Sequence, residues 1–235
     1  MSLEVLFGLS MAVVLGGFVQ GATGVGFALV VAPVMSFIAP DLLPVCLLAL
    51  MIPLNFFVLW RERAQVDRPG ASWITAGRLA GTVGGLWVLA ALSASQLAVF
   101  VGAATALAAL ASIFMPAFSP TTPAYLCAGV VTGITETATG IGGPPLALVY
   151  QHQLPPRARS TIALCFLLGE LVSLALLAAM GSVHREHLVA TAELIPALAA
   201  GGLLSHAVHR RVDARFLRGF VIVFALVSGG VLILR

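Results

Sequence analysis

The chain has no lysine, a single asparagine (Asn55), and only twelve arginines and nine acids among 235 residues. So few charges cannot cover the surface of a soluble domain of this size. A net charge of +3 without a basic run gives nucleic acid no footprint, so no nucleic-acid partner is expected. The three cysteines (Cys46, Cys127 and Cys165) lie inside apolar runs and are expected as small buried hydrophobes, with no disulfide or metal role. No charged or Pro/Gly/Ser-rich linker divides the chain, and 118–123 (FSPTTP) reads as a tight turn. Ser, Cys and His never meet in a nucleophile–base motif, so no enzyme is expected. No βαβ pattern surrounds Gly24-x-Gly26, and no cofactor is expected. The first residues, MSLEVLFGLS, carry Glu4 and no basic residue, so the first apolar segment is expected to stay in the mature protein.

What fills the chain is hydrocarbon. Hydrophobic residues make up 60% of it and mean hydropathy is +1.08. A bilayer core of about 30 Å needs about 20 helical residues per crossing. Six stretches suit that length: 43–60, 72–92, 97–115, 161–180, 188–205 and 216–234. Two others, 4–38 and 122–152, are too long for one helix and are interrupted by glycines. Their interruptions match. GGFVQGATGVGFALVVAP (Gly16 to Pro33) aligns without a gap on TGITETATGIGGPPLALV (Thr132 to Val149), placing Gly17, Ala22, Thr23, Gly24 and Gly26 on Gly133, Ala138, Thr139, Gly140 and Gly142. Paired breaks in two halves of a membrane protein point to a transport site.

Arginine placement decides whether each break is a kinked crossing or a hairpin. If both are hairpins, loops 61–71, 116–121, 153–160 and 206–215 share one side, which collects Arg61, Arg63, Arg68, Arg157, Arg159, Arg210, Arg211, Arg215 and Arg218. Single crossings destroy this bias, so the positive-inside rule favours hairpins with the N-terminus outside. The fold expected is an all-α polytopic membrane protein of two inverted-topology repeats, 1–118 and 119–235. Each is a broken or re-entrant helical hairpin plus three transmembrane helices, with the substrate at the repeat interface.

The break glycines Gly21, Gly24, Gly26, Gly140, Gly142 and Gly143 permit positive φ and close backbone approach. Pro144 and Pro145 suit the first turn of a new helix. Such tips expose N–H groups and a positive helix end, an anion site. The plainer reading is close packing, as expected for Gly81, Gly84, Gly85, Gly201 and Gly202. Thr23 and Thr139 offer matched hydroxyls, for a ligand or for a bond back to a helical carbonyl. Gln20 and Glu136 occupy matched positions and differ by a charge. A carboxyl at membrane depth is functional by default, and one that takes up a proton as an anion binds would couple the two. Glu170 falls mid-helix with Asn55 near its matched place, both needing polar partners. Arg78 is expected to snorkel to the surface and Glu193 to reach the opposite interface. His152, His206 and His209 read as solvated loop residues, and Arg210 and Arg211 as contacts to anionic lipid.

These motifs, GATGVGFALVVAP and GITETATGIGGPPLALVY, resemble those of the sulfite exporter TauE/SafE family of membrane transporters, over essentially the whole chain. The resemblance implies transport of sulfite, an organosulfonate such as sulfoacetate, or a related small anion. It implies bound groups at Thr23, Gly24, Gly26, Thr139, Gly140 and Gly142, with Glu136 nearby. Gln20 and Gly143 join them as candidate substrate contacts from their places at the breaks, and Glu136, Glu170 and Asn55 are the candidates for proton coupling or the cavity. The first copy departs from the second, with Phe27-Ala28 where the second has Gly143-Pro144. Expected partners are a small anion and membrane lipid, in a bacterial inner membrane, and a homodimer is compatible with this. The alternatives are an anion channel of similar architecture or, less favoured, an intramembrane enzyme using Glu136 and Glu170.

Overall fold

In the computed structural model, residues 2–114, 120–150, 153–208 and 214–234 are described. Expectations placed on Phe118, Ser119, His152, His209, Arg210 and Arg211, and on the side chains of Thr23, Arg215 and Arg218, lie outside them. Among the described residues ten α-helices follow in order: α1 (Leu3–Thr23), α2 (Phe27–Ile38), α3 (Val45–Glu62), α4 (Arg68–Ala91), α5 (Ala94–Phe114), α6 (Thr122–Thr139), α7 (Gly143–Val149), α8 (Pro155–Ala179), α9 (Arg185–Val208) and α10 (Ala214–Leu234). Within a bilayer each backbone group must be satisfied inside its own segment, so uninterrupted apolar runs become helices. Six of them, α1, α3, α4, α5, α8 and α9, are long and apolar enough to cross a membrane, and the described apolar part of α10 is Gly219–Leu234.

The glycine segments fold back on themselves. Gly8 faces Ile38 and Gly16 faces Val31, so α1 and α2 run antiparallel around the break at 24–26. In the second copy the Tyr125 and Tyr150 rings lie 5.7 Å apart, and the Thr132 hydroxyl donates to the Gly142 carbonyl at 3.1 Å, which sets α7 antiparallel to α6. Both breaks are therefore hairpin turns. One end of the bundle gathers Glu62, Asp67, Tyr125, Tyr150, Arg157 and Arg159, and Asp41 and His187 meet elsewhere.

Close pairing comes from glycine. On α4, Gly77, Gly81 and Gly85 recur every four residues and press on the backbone of α6 at Leu126, Val130 and Ile134. Gly129 and Gly133 of α6 answer against Ile74 and Arg78. In lipid, where apolar surface gains nothing by hiding from hydrocarbon, such backbone approach is a main source of helix affinity. Likewise α1 lies parallel on α9, with Gly201 against the Val14 carbonyl and Gly21 against Ser205. Helices α3 and α8 pair antiparallel, as do α5 and α10 through Gly102 and Gly229. Gly81, Gly84, Gly85 and Gly201 pack as expected, but nothing lies within 4 Å of a Cβ on Gly202. Cys46 and Cys165 are buried, whereas Cys127 is exposed, correcting its expected burial.

Candidate functional site

The two breaks are built alike. Gly24 (φ +86°) ends α1 and Gly140 (φ +80°) ends α6 in the left-handed conformation that glycine adopts without a Cβ penalty. Each donates its N–H back, to the Gln20 and Glu136 carbonyls, at 2.7 Å in both cases. They then diverge: φ is +123° at Gly26 and −127° at Gly142. Val25 Cβ lies 3.7 Å from where a Cβ on Gly143 would stand, so the turns meet.

Several polar groups at the tips are occupied. The Phe27 N–H, first of α2, donates to Gln20 Oε1 at 3.1 Å. Pro144 and Pro145 stand in the first turn of α7 and have no N–H to offer. The Thr139 hydroxyl donates to the Thr135 carbonyl at 2.7 Å and accepts from the Ile141 N–H at 3.1 Å. It stabilises the break, as the back-bonding alternative anticipates. Gly142 leaves room for its neighbour: a Cβ there would stand 2.5 Å from Glu136 Oε2. The positive pole of the site has a further source.

That source is Arg78, and its position corrects the expectation that it snorkels. The side chain is 1% exposed and reaches from α4 to Glu136 of α6, forming an ion pair between Nη2 and Oε2. Its Nη1 donates to the Cys165 carbonyl at 2.7 Å, and the guanidinium lies 5.4 Å from the Phe166 ring centroid. Gly169 of α8 makes the space, since a Cβ there would overlap the guanidinium. The reason Arg78 cannot reach the surface is its helical face: Gly77, Gly81 and Gly85 on that face are sealed against α6.

From the first break a chain of hydrogen bonds leads to the same place. Gln20 Nε2 donates to Asn55 Oδ1 at 3.3 Å, and Asn55 Nδ2 donates to Glu170 Oε1 at 2.7 Å. Glu136 and Glu170 are both fully buried, and Glu170 lies within electrostatic reach of Glu136 and Arg78. The structure thus brings together Gln20, Asn55, Glu136 and Glu170, four of the residues singled out in the sequence, and adds Arg78. The signal for Arg78 was present in the four-residue glycine spacing around it. Glu193 is exposed on α9, away from this centre.

At the arginine-bearing end, Arg159 grips Glu62 with two hydrogen bonds (3.1 and 2.6 Å), and its stem packs on Gly24. Nearby, Asp67 accepts from the Tyr150 hydroxyl at 3.1 Å and pairs with Arg157 at 3.1 Å. Burial first, and then the Asp67 carboxylate, raise the Tyr150 phenol above its ordinary range, so it stays a donor. A cleft of about 500 Å³ between α5 and the α6–α7 hairpin is lined by apolar groups such as Leu107, Val131 and Leu148. It offers no charge to an anion.

Fold and site together define a multi-pass helical membrane protein with a buried charged centre between paired helix breaks. The chain belongs to the sulfite exporter TauE/SafE family, whose model matches residues 9–232. It is accordingly a membrane transporter and not an enzyme. No curated protein and no solved structure gives a significant match.

Proposed function

We propose that this transporter is a secondary carrier for a small sulfur-containing anion, sulfite or an organosulfonate such as sulfoacetate, bound between the two glycine breaks. The observation that carries this is the meeting of the breaks at Val25 and Gly143 beside five buried polar residues, Gln20, Asn55, Arg78, Glu136 and Glu170. A buried, paired polar cluster of this kind marks a substrate or ion path. The two halves, 1–118 and 119–235, act as inverted repeats. The reading is supported by antiparallel pairing of α3 with α8 and α5 with α10, and by α1 on α9 mirrored in α6 on α4. Rocking of one half on the other exposes the centre to each side in turn. The Arg159–Glu62 pair over Gly24 closes the arginine-bearing side, which faces the cytoplasm of a bacterial inner membrane. Glu136, beside Glu170, carries the coupled proton.

Purified protein in proteoliposomes tests this. Sulfite or sulfoacetate uptake that saturates and is accelerated by an inward proton gradient is the expected result. Flux that rises linearly with concentration and ignores the gradient refutes the carrier in favour of a channel. Thermal unfolding with sulfite, sulfoacetate, sulfate, thiosulfate, acetate and chloride sorts substrates, because a bound anion raises stability by mass action.

A further inference from the structure

We infer that Arg78 is the anion-binding group of the transport site, and that Glu136 is an internal anion standing in the substrate's place in this structure. The inference rests on the carrier reading and assigns its chemistry.

The buried centre has hydrogen-bonding capacity to spare. Arg78 Nε, Glu136 Oε1 and Glu170 Oε2 are buried without hydrogen-bond partners. Arg78 Nη2 meets Glu136 Oε2 by charge, without the alignment of a hydrogen bond. Native proteins rarely leave buried polar atoms so, unless a ligand or a second state completes them. A guanidinium presents N–H groups in a planar fork that fits the paired oxygens of a carboxylate and, equally, those of a sulfite or sulfonate. With Phe166 beneath it and Gly169 leaving it room, the fork is held in one orientation. The helix tips offer less, since the Phe27 N–H is taken by Gln20 and two prolines in the first turn of α7 have no N–H.

Charge balance dictates how the exchange proceeds. Arg78 from α4 faces Glu136 from α6 and Glu170 from α8, with the Cys165 thiol also on α8 and the neutral Asn55 and Gln20 on α3 and α1. Helices α5 and α7, which also pack on α6, carry no titratable side chain. With both carboxyls ionised, one guanidinium faces two negative charges, and a third would be repelled. An anion therefore docks on Arg78 as the Glu136 carboxylate leaves it and accepts one proton. No covalent bond changes, Arg78 stays charged, and the net uptake is one anion with one proton. Glu136 also lies close against Gly142 of the second break, so this release changes the packing at that tip.

Methanesulfonate is the probe, because it remains a monoanion around neutral pH whereas sulfite does not. Its binding to the full-length protein in detergent should weaken about tenfold per pH unit as pH rises through neutrality, one proton being taken up per anion. Glu136→Gln should bind with that pH dependence flattened. Arg78→Gln should lose roughly a hundredfold in affinity at every pH, as for a lost charge-assisted pair of hydrogen bonds. Should Arg78→Gln not fold, the double variant Arg78→Gln/Glu136→Gln removes both charges, leaves neither partner as an unpaired buried charge, and should fold but not bind. Binding by the double variant within twofold of wild type overturns the inference, as does an unflattened pH slope in Glu136→Gln. A wild type that binds neither methanesulfonate nor sulfite instead removes the carrier reading, and the inference with it.

Discussion

Replacing Gly85 by alanine tests whether the α4–α6 contact sets the geometry of the buried centre. The new Cβ would stand 2.7 Å from the Ile134 carbonyl oxygen, 2.7 Å from Thr137 Cβ and 3.0 Å from the Gly133 carbonyl oxygen. Comfortable contacts between such atoms lie near 3.5 Å, so the helices must part locally by roughly 0.5–1 Å. Two of the three obstacles are backbone, which no rotamer change can remove. Overpacking of this kind costs about 1–3 kcal/mol, and the ordinary gain of alanine over glycine in a helix returns about 0.5–1 kcal/mol. The net loss is about 0–2.5 kcal/mol, and relative to an unobstructed glycine-to-alanine change, in which the same gain applies, it is about 1–3 kcal/mol, or about 2–12 °C in thermal midpoint for a chain of this length. Gly202→Ala is the control, because nothing lies within 4 Å of its Cβ; its midpoint should hold or rise. Residues 133–137 bracket Glu136, so Gly85→Ala should also displace Glu136 from Arg78 and lower flux, whereas Gly202→Ala should not. The assay is thermal unfolding in detergent beside flux in proteoliposomes. Equal midpoints for the two variants would refute the reasoning.

Gly140→Ala places an L-residue at φ +80°, which costs about 1–2 kcal/mol; flux should fall sharply while the protein remains folded by size-exclusion chromatography. Loss of folding alone would assign the break to packing. Asn55→Leu strips partners from Gln20 Nε2 and Glu170 Oε1, each worth about 1–3 kcal/mol when left buried and unpaired. Its thermal midpoint should drop by about 5 °C or more, and an unchanged midpoint would deny the network any structural weight. Tyr150→Phe removes one donor from Asp67 but leaves Arg157 in place, so a loss of about 1 kcal/mol is expected. A much larger loss by chemical unfolding would mean that Tyr150 anchors the second hairpin.

The legible part of this protein lies in local chemistry. Long apolar runs fix where helices form, because hydrocarbon leaves the backbone no partner outside its own segment. Gly24 and Gly140 end their helices for reasons each segment carries itself, and the alignment of Gln20 with Glu136 needs no folding to see. Arginine placement anticipated that each break folds back on itself, and the antiparallel contacts Gly16–Val31 and Tyr125–Tyr150 agree with that folding back.

Partnership was decided elsewhere. Arg78 and Glu136 are 58 positions apart in the sequence. With the apolar stretch read as starting at 72, Arg78 can snorkel or turn inward with the same local pattern. Only the glycine face of α4, closing on α6 at backbone contact, denies it the surface. The Thr139 hydroxyl was equally ambiguous until the break's shape brought both the Thr135 carbonyl and the Ile141 N–H to it. The sequence by itself determined a membrane-embedded helical chain with two matched breaks, because hydrophobicity and glycine act within a segment. The tertiary structure alone paired a cation with Glu136, within electrostatic reach of Glu170, because ion pairing depends on distances that only packing between segments can set.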